Sequence, residues 1–88
     1  PRLRAAPHIY ATLRAAVAQS QEMAPARLKE WVTAEVERNP LLKVIYYQSV
    51  DARTMQEVAT WDDSPRIQGC IAVQAGDIRL IDNICIRS

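Results

Sequence analysis

Gly69-Cys-Ile-Ala-Val-Gln-Ala75, then Gly76-Asp77, then Ile78-Arg-Leu-Ile-Asp-Asn-Ile-Cys85 is the stretch that decides the fold. Two apolar runs flank a two-residue Gly-Asp turn, the pattern of a tight β-hairpin. Pairing Ala75 with Ile78 sets the register. Val73 then faces Leu80, Ala72 faces Ile81 and Ile71 faces Asp82. One face of this hairpin carries Ile71, Val73, Ala75, Ile78, Leu80, Asp82 and Ile84. The other carries Cys70, Ala72, Gln74, Arg79, Ile81, Asn83 and Cys85. The first face is nearly all branched apolar side chains, so helices are expected to cover it.

The helices come first in the chain. Ala6, Ile9, Tyr10, Leu13, Ala16 and Val17 fall at helical spacing and predict a helix over 6–20. Pro7 suits its first turn, where a missing N–H costs little. A start nearer Arg2 would make that proline kink the helix. The polar segment 19–24 reads as a connector. Pro25 opens a second helix with Leu28, Trp31, Val32 and Val36 as its apolar stripe, and Asn39-Pro40 ends it, Asn being tolerant of a left-handed cap. A short connector implies an antiparallel pair. Glu35 falls within the stripe; its stem is expected to pack while its carboxylate reaches water or an arginine. Trp31 reads as core and His8 as a surface residue.

Val44-Ile-Tyr-Tyr-Gln-Ser-Val50 is rich in β-branched and aromatic residues and reads as a strand beside the hairpin, with a central position fitting its apolar content on both faces. Asp51-Ala-Arg-Thr-Met55 reads as a capped single turn. The Asp51 carboxylate would accept from the N–H groups of Arg53 or Thr54, and Met55 and Val58 would tuck under the sheet edge. The expected fold is therefore α+β: two antiparallel helices on one face of a small, largely antiparallel three-stranded sheet. The 88 residues form a single domain.

Composition excludes several function classes. A net charge of +1 gives no field to drive strong nucleic-acid or membrane binding. No apolar run approaches a membrane span and no signal-peptide pattern is present. Cys70 and Cys85 fall on one hairpin face at diagonal positions, too far apart for an unstrained disulfide; free thiols in a reducing cytosol are expected. Two glycines make no phosphate loop, and one His with two separated Cys completes neither a zinc site nor a nucleophile–His–acid set. Asp62-Asp63 before Ser-Pro reads as a turn tip rather than an ion site. No catalytic, cofactor-binding or metal residue is assigned. The absence of a starting Met points to an excised or processed chain.

Three motifs in order carry a resemblance. Arg4-Ala-Ala-Pro-His-Ile-Tyr-Ala-Thr-Leu13, Tyr47-Gln-Ser-Val-Asp-Ala-Arg-Thr-Met55 and Gly76-Asp-Ile-Arg-Leu-Ile-Asp-Asn83 span almost the whole chain. Together they resemble the C-terminal end of the pantothenate synthetase (pantoate–β-alanine ligase) family. The resemblance implies an enzyme that activates pantoate with ATP, and Mg, to a pantoyl adenylate, which β-alanine attacks to give pantothenate and AMP. It implies a cytoplasmic homodimer. It also implies an N-terminal Rossmann-type domain that carries the His-x-Gly-His-like and Ser-Ser-Arg-Asn segments, neither of which occurs here. The 88 residues would then be the smaller lid domain, inactive alone, with no nucleic-acid or membrane partner. Arg79, Leu80, Ile81, Asp82 and Asn83 match the family motif; Asp82 and Asn83 are expected to hold the hairpin end against the preceding strand. Some bacteria fuse this enzyme to a cytidylate kinase, and a chain stopping directly after a strand is compatible with such a fusion. A free-standing interaction or oligomerisation module is the competing reading, and a thiol redox module on Cys70 and Cys85 the third.

Overall fold

The computed structural model describes the backbone of residues 2–88 and the side chains of residues 7–88. Its elements are α1 (Arg2–Gln19), α2 (Pro25–Val36), β1 (Leu42–Asp51), a 3-10 turn (Trp61–Asp63), β2 (Ile67–Ala75) and β3 (Ile78–Arg87). The strands lie in the order β1-β2-β3, both pairings antiparallel. The hairpin β2–β3 has the expected register, with Ala75 opposite Ile78, Val73 opposite Leu80 and Ile71 opposite Asp82. Gly76, at φ 63°, supplies the left-handed first position that a two-residue loop needs.

The central strand is β2, so β1 is an edge rather than a centre. Ile71 and Val73 of β2 are buried beneath the helices, and Ala72, on its other face, is buried between Tyr46 and Ile81 of the flanking strands. The outer edge of β1 is closed at its two ends. Val50 bridges to Glu57, the Val58 N–H donates to the Ser49 carbonyl (2.9 Å), and the Val44 N–H donates to the Glu37 carboxylate (2.8 Å). Among the described residues β3 pairs with β2 alone, which leaves its outer edge bare.

Both helices lie on one face, α1 over β3 and α2 over β1. Ile9, Leu13 and Ala16 from α1 and Leu28, Val32 and Val36 from α2 meet Leu42, Tyr47, Ile67, Ile71, Val73 and Ile86 from the sheet. Each fully buried Leu, Ile or Val here contributes about 1.5–3 kcal/mol. Helix α1 starts at Arg2, which leaves Pro7 inside it and not in its first turn. The side chain of Ala6, the first position of the expected stripe, lies outside the described residues, as do those of Arg2 and Arg4. Tyr10 faces water, so the α1 stripe is narrower than its spacing suggested. His8, expected on the surface, is half-buried: its Nε2 donates to the Glu35 carbonyl (3.1 Å), pinning the start of α1 to the end of α2 in an antiparallel pair. Glu35 itself reaches Arg38 at 3.3 Å.

Helix α2 ends at Val36, three residues before Asn39. Asn39 does not take the left-handed cap, since among the described residues Met55 is the one non-glycine residue with positive φ. Its side-chain oxygen instead accepts the Leu41 N–H (2.9 Å), turning the chain over Pro40 into β1.

Two bulges break the simple alternation of the strands. In β1 the register shifts between Val44 and Tyr46. Val44 and Tyr47 both pack toward the helices, so Ile45 and Tyr46 fall together on the opposite face. Opposite the Ile67/Gln68 junction, β3 carries the extra residue Ile86. Ile86 and Arg87 consequently both reach the helix side.

Candidate functional site

Three polar nodes and one uncovered sheet face are the places where chemistry or recognition can reside. The first node closes the end of β1. The Asp51 carboxylate accepts the N–H groups of Arg53 (2.7 Å) and Thr54 (3.2 Å), as its place before Ala-Arg-Thr predicts. The Met55 N–H returns to the Asp51 carbonyl (2.8 Å), and Met55 at φ 63° ends the turn. Met55 is 60% exposed and does not tuck under the sheet; a left-handed residue closing a surface turn points outward, while Val58 is buried as expected. The Arg53 N–H, then the Thr54 N–H, hold the Asp51 carboxyl below its ordinary value of 3.8. It is therefore an anion at neutral pH and donates no proton. The Ala52 N–H reaches the Arg66 carbonyl (2.9 Å), forming a shallow notch lined by Asp51, Arg53, Ser64 and Arg66.

The second node is the 3-10 turn. Asp63 accepts the Ala59 and Thr60 N–H groups through one oxygen (2.8 and 3.1 Å) and the Thr60 hydroxyl through the other (3.1 Å). The Thr60 and Ala59 N–H groups lower its pKa from 3.8. Both Asp63 oxygens are engaged by the turn itself. Among the described residues no three His, Cys, Asp or Glu side chains converge as a metal site.

The third node was not legible in the sequence. Arg87, at the end of β3, donates to the Ser20 hydroxyl (2.7 Å) and Ser20 carbonyl (3.0 Å) just past the end of α1. Its guanidinium stacks over the Trp61 ring at 4.8 Å. Trp61 in turn donates its indole N–H to the Met23 carbonyl (2.6 Å) in the helix connector. One arginine thus joins strand, helix end and turn. It stands among eleven basic residues scattered through the chain, and only the fold singles it out.

The buried Tyr47 phenol shares a hydrogen bond with the buried Ser49 hydroxyl (3.2 Å), and burial pushes its pKa up. Gly69, across from Ser49, lies beneath that ring: a Cβ there would sit 2.5 Å from the Tyr47 hydroxyl. A glycine in a strand interior can signal such an approach.

The motif Arg79–Asn83 lies along β3, with Leu80 and Asp82 on the helix side and the other three on the open side. Asp82 is half-buried and its Oδ1 accepts the neighbouring Asn83 N–H (2.8 Å). The expectation that Asp82 and Asn83 tie the hairpin to the preceding strand is overturned, because β2 stands between β3 and β1. Cys70 and Cys85 are free; Cys70 is half-buried and burial raises its pKa, and Cys85 is exposed. The one hydroxyl that meets a carboxylate among the described residues, Thr60 on Asp63, does so within the 3-10 turn.

Comparison with known proteins bears out the family resemblance. A family model for pantoate–β-alanine ligase matches residues 2–85. The pantothenate synthetase of Porphyromonas gingivalis is 40% identical over 70 residues, which is 75% of this chain and 25% of that protein. That of Azobacteroides pseudotrichonymphae is 36% identical over 76 residues, 86% of this chain and 27% of that protein. The crystal structure of Thermus thermophilus pantothenate synthetase superposes with a TM-score of 0.80 at 22% identity, covering 93% of this chain and 29% of that one, and so shares its fold. The chain spans about a quarter of the length of these curated relatives. With a family model covering nearly its whole length, this chain belongs to the pantoate–β-alanine ligase family.

Proposed function

We propose that the 88 residues are the C-terminal lid of an ATP-dependent ligase that joins pantoate to β-alanine through a pantoyl adenylate. The observation that carries this reading is the family match over residues 2–85 in a chain a quarter as long as its relatives. The polar nodes support it. The described residues do not fit ATP or Mg: the Asp51 and Asp63 carboxylates are engaged by their own turns, and no acidic cluster or glycine loop is present. Nucleotide, pantoate and β-alanine are therefore assigned to the rest of a cytoplasmic enzyme, with ATP as its Mg complex and with two copies per assembly. The role left to this unit is to close over the adenylate, exclude water and so protect an intermediate that hydrolysis would destroy.

Pantoate-dependent exchange of pyrophosphate into ATP tests this. The full-length chain should exchange and the 88-residue chain should not. Exchange by the 88 residues alone would place catalytic groups within them and end the lid reading. A full-length chain that performs no exchange would end the ligase reading.

A further inference from the structure

The helices cover one face of the sheet and leave the other with a distinct chemistry. Its cross-strand rows run Lys43–Gln74–Arg79, Tyr46–Ala72–Ile81 and Gln48–Cys70–Asn83. The β1 bulge adds Ile45 beside Tyr46 in the middle row. Ile45 is 44%, Tyr46 39% and Ile81 68% exposed, while Ala72 between them is fully buried. An isolated exposed apolar side chain is ordinary, but a contiguous strip across all three strands is the form of a contact surface. The bulge is what builds it, because regular alternation would have placed only one of Ile45 and Tyr46 there. A fourth row, Val50–Gln68–Cys85, ends beside Glu57, which bridges to Val50, while the cations Lys43 and Arg79 close the opposite end.

We infer that this helix-free face is the surface the unit turns toward the catalytic part of its own polypeptide, an inference that rests on the lid reading above. Two observations select that occupant. Relatives run about four times the length of the matched segment, so in the family this unit has a covalent neighbour. The charge pattern selects an apolar contact with an anionic margin facing Lys43 and Arg79, which is complementary to the face and not a copy of it. A second copy meeting this face in the same register would set cations against cations.

The thiols report on the face directly. Cys85 lies on it beside Gln68 and is exposed. Lys29 lies in the helix layer, on α2, and pairs with Glu57 (2.6 Å). The experiment compares iodoacetamide labelling of Cys85 and acetylation of Lys29, read by peptide mass spectrometry, in the full-length chain and in the 88-residue chain. Cys85 should label about tenfold more slowly in the full-length chain, the value for a face uncovered one-tenth of the time. Lys29 should label alike in both. Ile81→Asp in the full-length chain should restore fast labelling of Cys85 by placing a charge in the strip. Equal Cys85 rates in the two chains would overturn the inference. Slow, concentration-dependent labelling in the 88-residue chain would also overturn it, by assigning the face to a second copy. Pyrophosphate exchange in the same full-length preparation separates the failures: exchange with unprotected Cys85 rejects only the face, whereas no exchange rejects the ligase.

Discussion

Gly69→Ala tests the packing beneath the sheet in a way that can be worked from distances. The new Cβ would lie 2.5 Å from the Tyr47 hydroxyl oxygen and 3.2 Å from two ring carbons. Heavy atoms in good contact sit about 3.5 Å apart or more, so the hydroxyl end of the ring must retreat by about 1 Å. Tyr47 is buried against the core and bonded to Ser49, so it has little room to do so. Overpacking of this kind costs about 1–3 kcal/mol. Tyr47→Phe alone should cost about 1 kcal/mol or more, since it leaves the buried Ser49 hydroxyl without its partner. In the Phe background the 2.5 Å contact is gone and only the 3.2 Å contacts remain, so Gly69→Ala should then cost under about 1 kcal/mol. The double mutant should therefore be more stable than the sum of the singles predicts, by about 1 kcal/mol. That exceeds the roughly 0.5 kcal/mol scatter of independent sites. Urea unfolding of the four proteins, with linear extrapolation, measures it. Costs that simply add would show that the hydroxyl does not limit this contact, and the reasoning would fail.

Arg87→Ala should destabilise by about 1–3 kcal/mol, because it removes two hydrogen bonds to Ser20 and the stack on Trp61; Arg87→Lys should recover only part, since an ammonium lacks the planar fork, and thermal melts read both. Acid should destabilise the fold through Asp51 and Asp63. Their folded pKa values lie below the ordinary 3.8, so the unfolded chain takes up protons first; their contribution is present above that value and is lost as pH falls through and below it. Asp51→Asn with Asp63→Asn should flatten the acid limb of the stability–pH curve measured in urea. Asp82→Ala should change stability by no more than about 0.5 kcal/mol, because among the described residues the carboxylate bonds only to the adjacent Asn83 N–H; a melt showing a loss above about 2 kcal/mol would mean it holds something further.

What was legible in the sequence was local. The Gly76-Asp77 loop determines its own register, because the side-chain period of two leaves no alternative once the turn is placed. The Asp51 cap depends only on residues two and three positions ahead. What could not be read depends on distant parts of the chain. A bulge is invisible to alternation, so Val44 to Val50 looked apolar on both sides, when one shift sends Val44 and Tyr47 inward and Ile45 and Tyr46 outward. His8 looked like a surface residue because its partner is a backbone carbonyl 27 residues away. Arg87 meets Ser20 across 67 residues, and its neighbours in sequence contain no hint of either Ser20 or Trp61. The candidate surface was hidden for the same reason: Ile81 and Tyr46 become neighbours only through Ala72, which belongs to a third strand.

The unequal margins of the sheet have a consequence for handling the chain in isolation. Loop residues and the Glu37 carboxylate occupy the outer hydrogen-bonding groups along part of β1, whereas β3, which among the described residues pairs with β2 alone, has neither proline nor lysine along its outer edge to repel a newcomer. A foreign strand can therefore be accepted more readily along β3 than along β1. Two molecules meeting flank to flank would consume both β3 edges at once, leaving only the partly closed β1 edges to seed a third. At high concentration this geometry favours a terminated pair over a fibre, because propagation needs two sticky sides and one of this sheet's is closed at its ends.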